Sequence, residues 1–172
     1  MGKTNIYCSL SEKSLDKAIK AVRAYRERIE DKNDLFVRRL AELGIPIIDE
    51  NISASRGDSD KSHHTYIKLT SLRGYSEARL IVEGKDLLFI EFGAGVYYNT
   101  SAGSSPNPKG AELGYTIGSY GKGLGVNDYW YYIDDTGVKH RSYGTEATMP
   151  VYKASMEIIQ NIRKMAKEVF GG

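Results

Sequence analysis

An apolar run that stops at a glycine hinge constrains this chain more than any other feature. Leu87-Leu88-Phe89-Ile90-Glu91-Phe92 ends at Gly93-Ala94-Gly95, and Val96-Tyr97-Tyr98-Asn99 opens a stretch crowded with Gly, Ser, Pro and Tyr. A short apolar run bounded by turn residues reads as a strand of a sheet. Glycine lets the backbone leave that strand without a side chain blocking the exit. The aperiodic stretch that follows reaches Val126, and a loop of that length inside a compact domain is usually functional or disordered. A stiff sheet holding out such an excursion suits surface contact better than turnover of a substrate.

Periodicity organises the rest. Leu15, Ala18, Ile19, Val22, Tyr25 and Ile29 fall at three- and four-residue steps, the stripe of an amphipathic helix. Asn33 caps a second helix that buries Leu35, Phe36, Val37, Leu40 and Leu43, and Gly44 and Pro46 interrupt it. After the polar link 53–62, side chains alternate through Tyr66–Thr70 and again through Ala78–Val82. Turns at Arg73-Gly74 and Glu83-Gly84-Lys85-Asp86 join these to Leu87–Phe92 as a three-stranded antiparallel meander. A last hairpin turns at Asp134-Asp135-Thr136-Gly137. Pro150 then opens a helix with Val151, Ala154, Ile158, Ile162, Met165 and Val169 on one face. The expected fold is α+β, with an antiparallel meander packed against amino-terminal helices and a carboxy-terminal helix. One domain over 1–172 is expected: helices in 11–53, meander in 64–92, long Gly/Tyr-rich loop in 93–126, hairpin in 127–141 and helix in 150–170.

Composition narrows the function classes. With 41% hydrophobic and 27% charged residues the chain has an ordinary globular balance, and a formal charge of +2 gives no reason to invoke nucleic acid. A single cysteine, Cys8, cannot close an intramolecular disulfide. No apolar segment is long enough to span a bilayer, and Met1–Ile6 lacks an apolar signal core, so a soluble intracellular protein is expected.

Short motifs add little chemistry. His63-His64 follow Asp58 and Asp60, but adjacent histidines diverge and no second cluster completes a metal site. Arg56-Gly57-Asp58 matches the adhesion tripeptide at chance level. Gly118-Ser119-Tyr120-Gly121-Lys122-Gly123-Leu124-Gly125 lacks the Gly-Lys-Ser/Thr ending of a phosphate cradle and reads as a loop. Glu91 has no second carboxylate at a definable distance, so an exposed strand position is its ordinary reading. Tyrosines are the stronger signal. Tyr97, Tyr98, Tyr115 and Tyr120 lie among glycines and suit an interaction surface. Tyr129, Tyr131 and the strand around Trp130 equally suit a packed sheet face.

Glu91-Phe92-Gly93-Ala94-Gly95, followed by a loop and by Gly144-Thr145 with Ala147, Met149-Pro150, Tyr152 and Ala154, resembles the tail-completion or head–tail joining proteins of long-tailed double-stranded DNA bacteriophages. Their pattern is a Glu-Phe-Gly-Thr-Gly strand end and a later segment entering a last helix; here Ala94 replaces the usual Thr and Val151 a common aromatic. The resemblance implies a non-catalytic structural subunit without metal or cofactor. It would assemble as a ring with itself and with connector and tail-tube proteins, in the host cytoplasm and then at the virion neck. The expected protein interface comprises Glu91, Phe92, Gly93, Gly95, Tyr97, Tyr98, Tyr115, Tyr120, Met149 and Pro150. Two alternatives from other classes are a small hydrolase or glycan-binding enzyme using Glu91, Asp134, Asp135 or the histidines, and a nucleic-acid-binding domain using Lys17, Lys20, Arg23, Arg38 and Arg39.

Overall fold

The computed structural model describes residues 5–99, 102–120, 123–124 and 127–171, with Ser119, Tyr120, Gly123 and Leu124 described by their backbone only. The fold is α+β. A long helix α1 (Glu12–Ala54) precedes the hairpin β1 (His63–Leu72) and β2 (Tyr75–Gly84), and a short helix α2 (Leu87–Phe92) follows it. Three small strand pairs come next: β3 (Gly103–Ser104) with β4 (Thr116–Ile117), β5 (Ser119–Tyr120) with β6 (Gly123–Leu124), and β7 (Trp130–Ile133) with β8 (Lys139–Ser142). All three pairs are antiparallel. Helix α3 (Pro150–Phe170) ends the order.

The chain divides into two compact units. The first comprises Met1–Leu43, Ile67–Ile81 and Glu157–Gly172. In it Leu40, Ala41 and Val169 are buried, and Phe36 meets Phe170 edge-on at 5.7 Å. Asp34 accepts the Ser71 hydroxyl at 2.7 Å, and hydroxyl donation from Ser76 and Ser71 holds its carboxyl below the usual range. Leu15, Ile19, Val22 and Tyr25 of α1 remain exposed, so the predicted stripe is present but uncovered over its first turns. The second unit, Gly44–Tyr66 and Val82–Met156, buries Ile48, Ile52, Ile90, Phe92, Ile117 and Ala154.

Two local expectations are corrected. α1 is one helix, not two, with Pro46 inside it. Proline in a helix interior costs about 3 kcal/mol, whereas burying one Ile side chain returns about 1.5–3 kcal/mol. Ile48 and Ile52, four residues apart on one face, are 2% and 0% exposed, so that burial is enough to carry the helix through. The third meander strand is helix α2. The Asp86 carbonyl accepts from the Phe89 and Ile90 amides, and Gly93, at φ +82°, ends the turn by donating to the Phe89 carbonyl at 2.8 Å. A six-residue apolar run is too short for its period to separate strand from buried helix. Within 93–126 lie β3 to β6, with Asn107 and Ile117 buried.

Candidate protein-interaction surface

Three segments distant in sequence meet in the second unit. Thr145 bridges Ala94 through paired backbone bonds of 2.7 and 3.0 Å, and it also bridges Gly57. Asp58 donates its amide to the Gly144 carbonyl at 3.0 Å, and Glu146 donates its own to the Arg56 carbonyl at 2.8 Å. Asn99 ties the junction from within. Its amide nitrogen donates to the carbonyls of Gly95 (2.9 Å) and Thr145 (2.7 Å), and its oxygen accepts the Ala147 amide at 3.0 Å. Backbones approach this closely only because Gly144 has no side chain: a Cβ there would sit 1.9 Å from the Ala94 carbonyl oxygen. Arg56 closes the edge with a bidentate pair to Glu146 at 2.8 and 3.0 Å, which holds the Glu146 carboxyl below its ordinary value.

Glu91 is buried rather than on an exposed strand face, because α2 turns it toward the start of α3. Met149, at φ +57°, gives its carbonyl to the Lys153 amide and so occupies the cap position. The next residue, Pro150, has no N–H to satisfy. The following two amides, Val151 and Tyr152, donate to the Glu91 carboxylate at 2.8 and 3.0 Å. Buried Asn107 donates to the same carboxylate at 2.7 Å. A negative group at a helix N-terminus satisfies free donors and complements the helix dipole. The Glu91–Gly95 and Met149–Ala154 segments are thus one structural device, with Glu91 of the first capping the helix that the second launches.

Period-2 alternation gives the β7–β8 ribbon two different faces. Its register places Tyr131 opposite Arg141 and Ile133 opposite Lys139, while Trp130 and Tyr132 lie opposite Ser142 and His140. Trp130, Tyr132 and Ser142 line a cleft of about 330 Å³, together with Asp58, Asp86 and Phe89. The other face carries a ladder of rings. Tyr129 meets Tyr131 at 5.8 Å and Tyr143 at 6.2 Å, Tyr143 meets Tyr97 at 5.3 Å, and Tyr97 meets Tyr98 at 4.8 Å. Cations lie over these rings: Lys139 over Tyr131 (4.2 Å), Arg141 over Tyr143 (5.0 Å) and Tyr129 (5.5 Å), and Arg56 over Tyr98 (5.7 Å). Tyr97, Tyr131 and Ile133 are 56%, 52% and 70% exposed, so this face is open to a partner.

The expected interface residues separate by burial. Glu91, Phe92, Gly95 and Pro150 are buried, Gly93, Tyr98, Tyr115 and Met149 are half-buried, and Tyr97 is exposed. Tyr115 stacks on Phe92 at 4.0 Å, so it packs within the chain. The side chain of Tyr120 lies outside the described residues, as do Gly121, Lys122 and Gly125 of the glycine-rich stretch. His63 spends its ring nitrogens on the Lys61 carbonyl and the Asp49 carboxylate, and His64 stacks on Tyr66. Asp134 accepts the Thr136 hydroxyl, the Val138 amide, the His140 ring and the Thr136 amide, and these donors, the hydroxyl foremost, hold its carboxyl far below the usual range. Among the described residues no group of three or more His, Cys, Asp or Glu is arranged to hold a metal, and no helix is long and apolar enough to cross a membrane.

Sequence reasoning missed Lys139 and Arg141 as site residues, and Asn99, Asn107 and Gly144 as the frame. The signal for the first pair was available: a hairpin turn at Asp134–Gly137 fixes which tyrosines face which cations. The frame residues carry no such local mark. The chain matches no protein-family model, and no curated protein or solved structure matches it.

Proposed function

We propose that this chain is a non-catalytic structural subunit of a phage or prophage, of the tail-completion or head–tail joining kind, acting through protein–protein contacts at the neck. The observation that carries this reading is the open tyrosine–cation face of the β7–β8 ribbon, held on the Asn99-tied junction. Tyrosine and arginine dominate binding energy at protein interfaces, because large rigid side chains lose little entropy on docking. Glu91, the one carboxylate within the family-like pattern's first half, is engaged by backbone donors and serves as a helix cap. The uncovered stripe Leu15, Ile19, Val22 on α1 supplies a second contact surface for self-association. Assembly would take place in the bacterial cytoplasm, with the subunit retained in the virion neck beside connector and tail-tube proteins.

The test is a joining reaction. Purified heads and tails from particles lacking this subunit are mixed with the wild-type chain or with Tyr129→Ala/Tyr131→Ala, and completed virions are counted. Wild type should restore joining, and the double variant should lose it with its circular dichroism unchanged. Failure of the wild-type chain to join them would sink the reading.

A further inference from the structure

We infer that the outward face of the β7–β8 ribbon docks an acidic, extended protein segment whose alternate carboxylates meet Lys139 and Arg141. This deepens the docking role proposed above and rests on it. Lys139 and Arg141 stand two residues apart on β8 and therefore leave the strand on the same side, with their Cα atoms about 7 Å apart. That spacing equals the repeat between same-side residues of a partner strand. Neither cation has a carboxylate partner among the described residues, in contrast to Arg56, which Glu146 neutralises.

The rings prepare these cations for an anion. Tyr131 holds the Lys139 ammonium, and Tyr129 and Tyr143 flank the Arg141 guanidinium. A cation resting on aromatic faces is partly desolvated and restricted in its rotamers, so less is lost when a carboxylate arrives. Exposed Ile133 and Tyr131 add apolar contact beside the charges.

Nucleic acid fits the face less well. Base stacking needs bare ring faces, and here the cations occupy them while Tyr129 packs edge-on against Tyr131 at 83°.

The experiment titrates the full chain into a fluorescein-labelled eight-residue peptide alternating Glu and Thr, with its Gln-for-Glu counterpart and an eight-nucleotide oligo-dT as comparisons. Anisotropy should show saturable binding of the glutamate peptide that weakens with salt. The glutamine peptide, and the variant Lys139→Gln/Arg141→Gln with unchanged circular dichroism, should each bind about tenfold more weakly. The charge-conserving Lys139→Arg variant should retain binding. Equal binding of both peptides, no saturation up to millimolar concentration, or tighter binding of oligo-dT overturns the inference. The joining reaction separates this failure from that of the underlying reading. If Lys139→Gln/Arg141→Gln joins normally while Tyr129→Ala/Tyr131→Ala does not, docking stands and the acidic partner falls; if both join normally, docking itself falls.

Discussion

Replacing Glu91 should loosen the entry to α3 in a graded way that geometry sets. The carboxylate, 8% exposed, receives the Val151 amide on Oε2 and both the Tyr152 amide and the Asn107 side chain on Oε1. Hydrogen bonds to a charged group contribute about 1.5–3 kcal/mol each, and neighbouring losses are not additive. A negative charge at a helix N-terminus adds about 0.3–2 kcal/mol. Glu91→Ala strips an acceptor from three donors at once and should destabilise by about 3–5 kcal/mol. Glu91→Gln keeps one oxygen but must turn its NH2 toward a donor whichever way the amide lies, at a cost of about 1–3 kcal/mol. Urea unfolding followed by far-ultraviolet circular dichroism measures both, and amide exchange at Val151 and Tyr152 assigns the loss to this end of α3. A Glu91→Ala variant within about 1 kcal/mol of wild type, or a Gln variant as costly as the Ala variant, would refute the capping argument.

The remaining predictions concern the same unit. Asn99→Ala removes the donor to Gly95 and Thr145 and the acceptor for Ala147, and should cost about 2–4 kcal/mol by urea unfolding; a loss under about 1 kcal/mol contradicts its tying role. Thr148→Val removes a buried hydroxyl that has no hydrogen-bond partner among the described residues and should stabilise by about 0.5–1.5 kcal/mol, while a clear loss would mean the hydroxyl has work to do. Glu146 and Asp134 have carboxyls held below their ordinary values, chiefly by hydrogen bonds from Arg56 and Thr136 respectively. Because the folded-state values lie below the unfolded ones, their contribution is complete above the ordinary carboxylate range of about 4 and is lost as pH falls through the folded values. Unfolding midpoints should thus be flat from about pH 7 to 5 and drop below about pH 4, and a gain on acidification would contradict the assignment.

Long periodic stretches were legible before any coordinates. Helix α3 with its Pro150 start and the strands β1 and β2 appear where the residues place them, although Val151 and Ile162 of the α3 stripe are exposed and burial along β1 and β2 does not alternate. The Tyr/Trp hairpin was legible too, because its Asp-Asp-Thr-Gly turn marks the reversal. Short or interrupted signals were not. Leu87–Phe92 reads equally as strand or helix, and Gly44 with Pro46 reads as a break although burial of Ile48 and Ile52 carries α1 through.

Local order in this protein is written by neighbours in sequence, which set period, turn chemistry and caps, and so the α+β composition was readable from the residues alone. The site is written by neighbours in space. Gly57, Ala94 and Thr145 meet across long separations, Glu91 finds its backbone donors 60 and 61 residues downstream, and the tyrosine ladder links the Tyr97-Tyr98 turn to β7 and β8. Such pairings are chosen by the joint burial of many segments, a property no local window of residues contains.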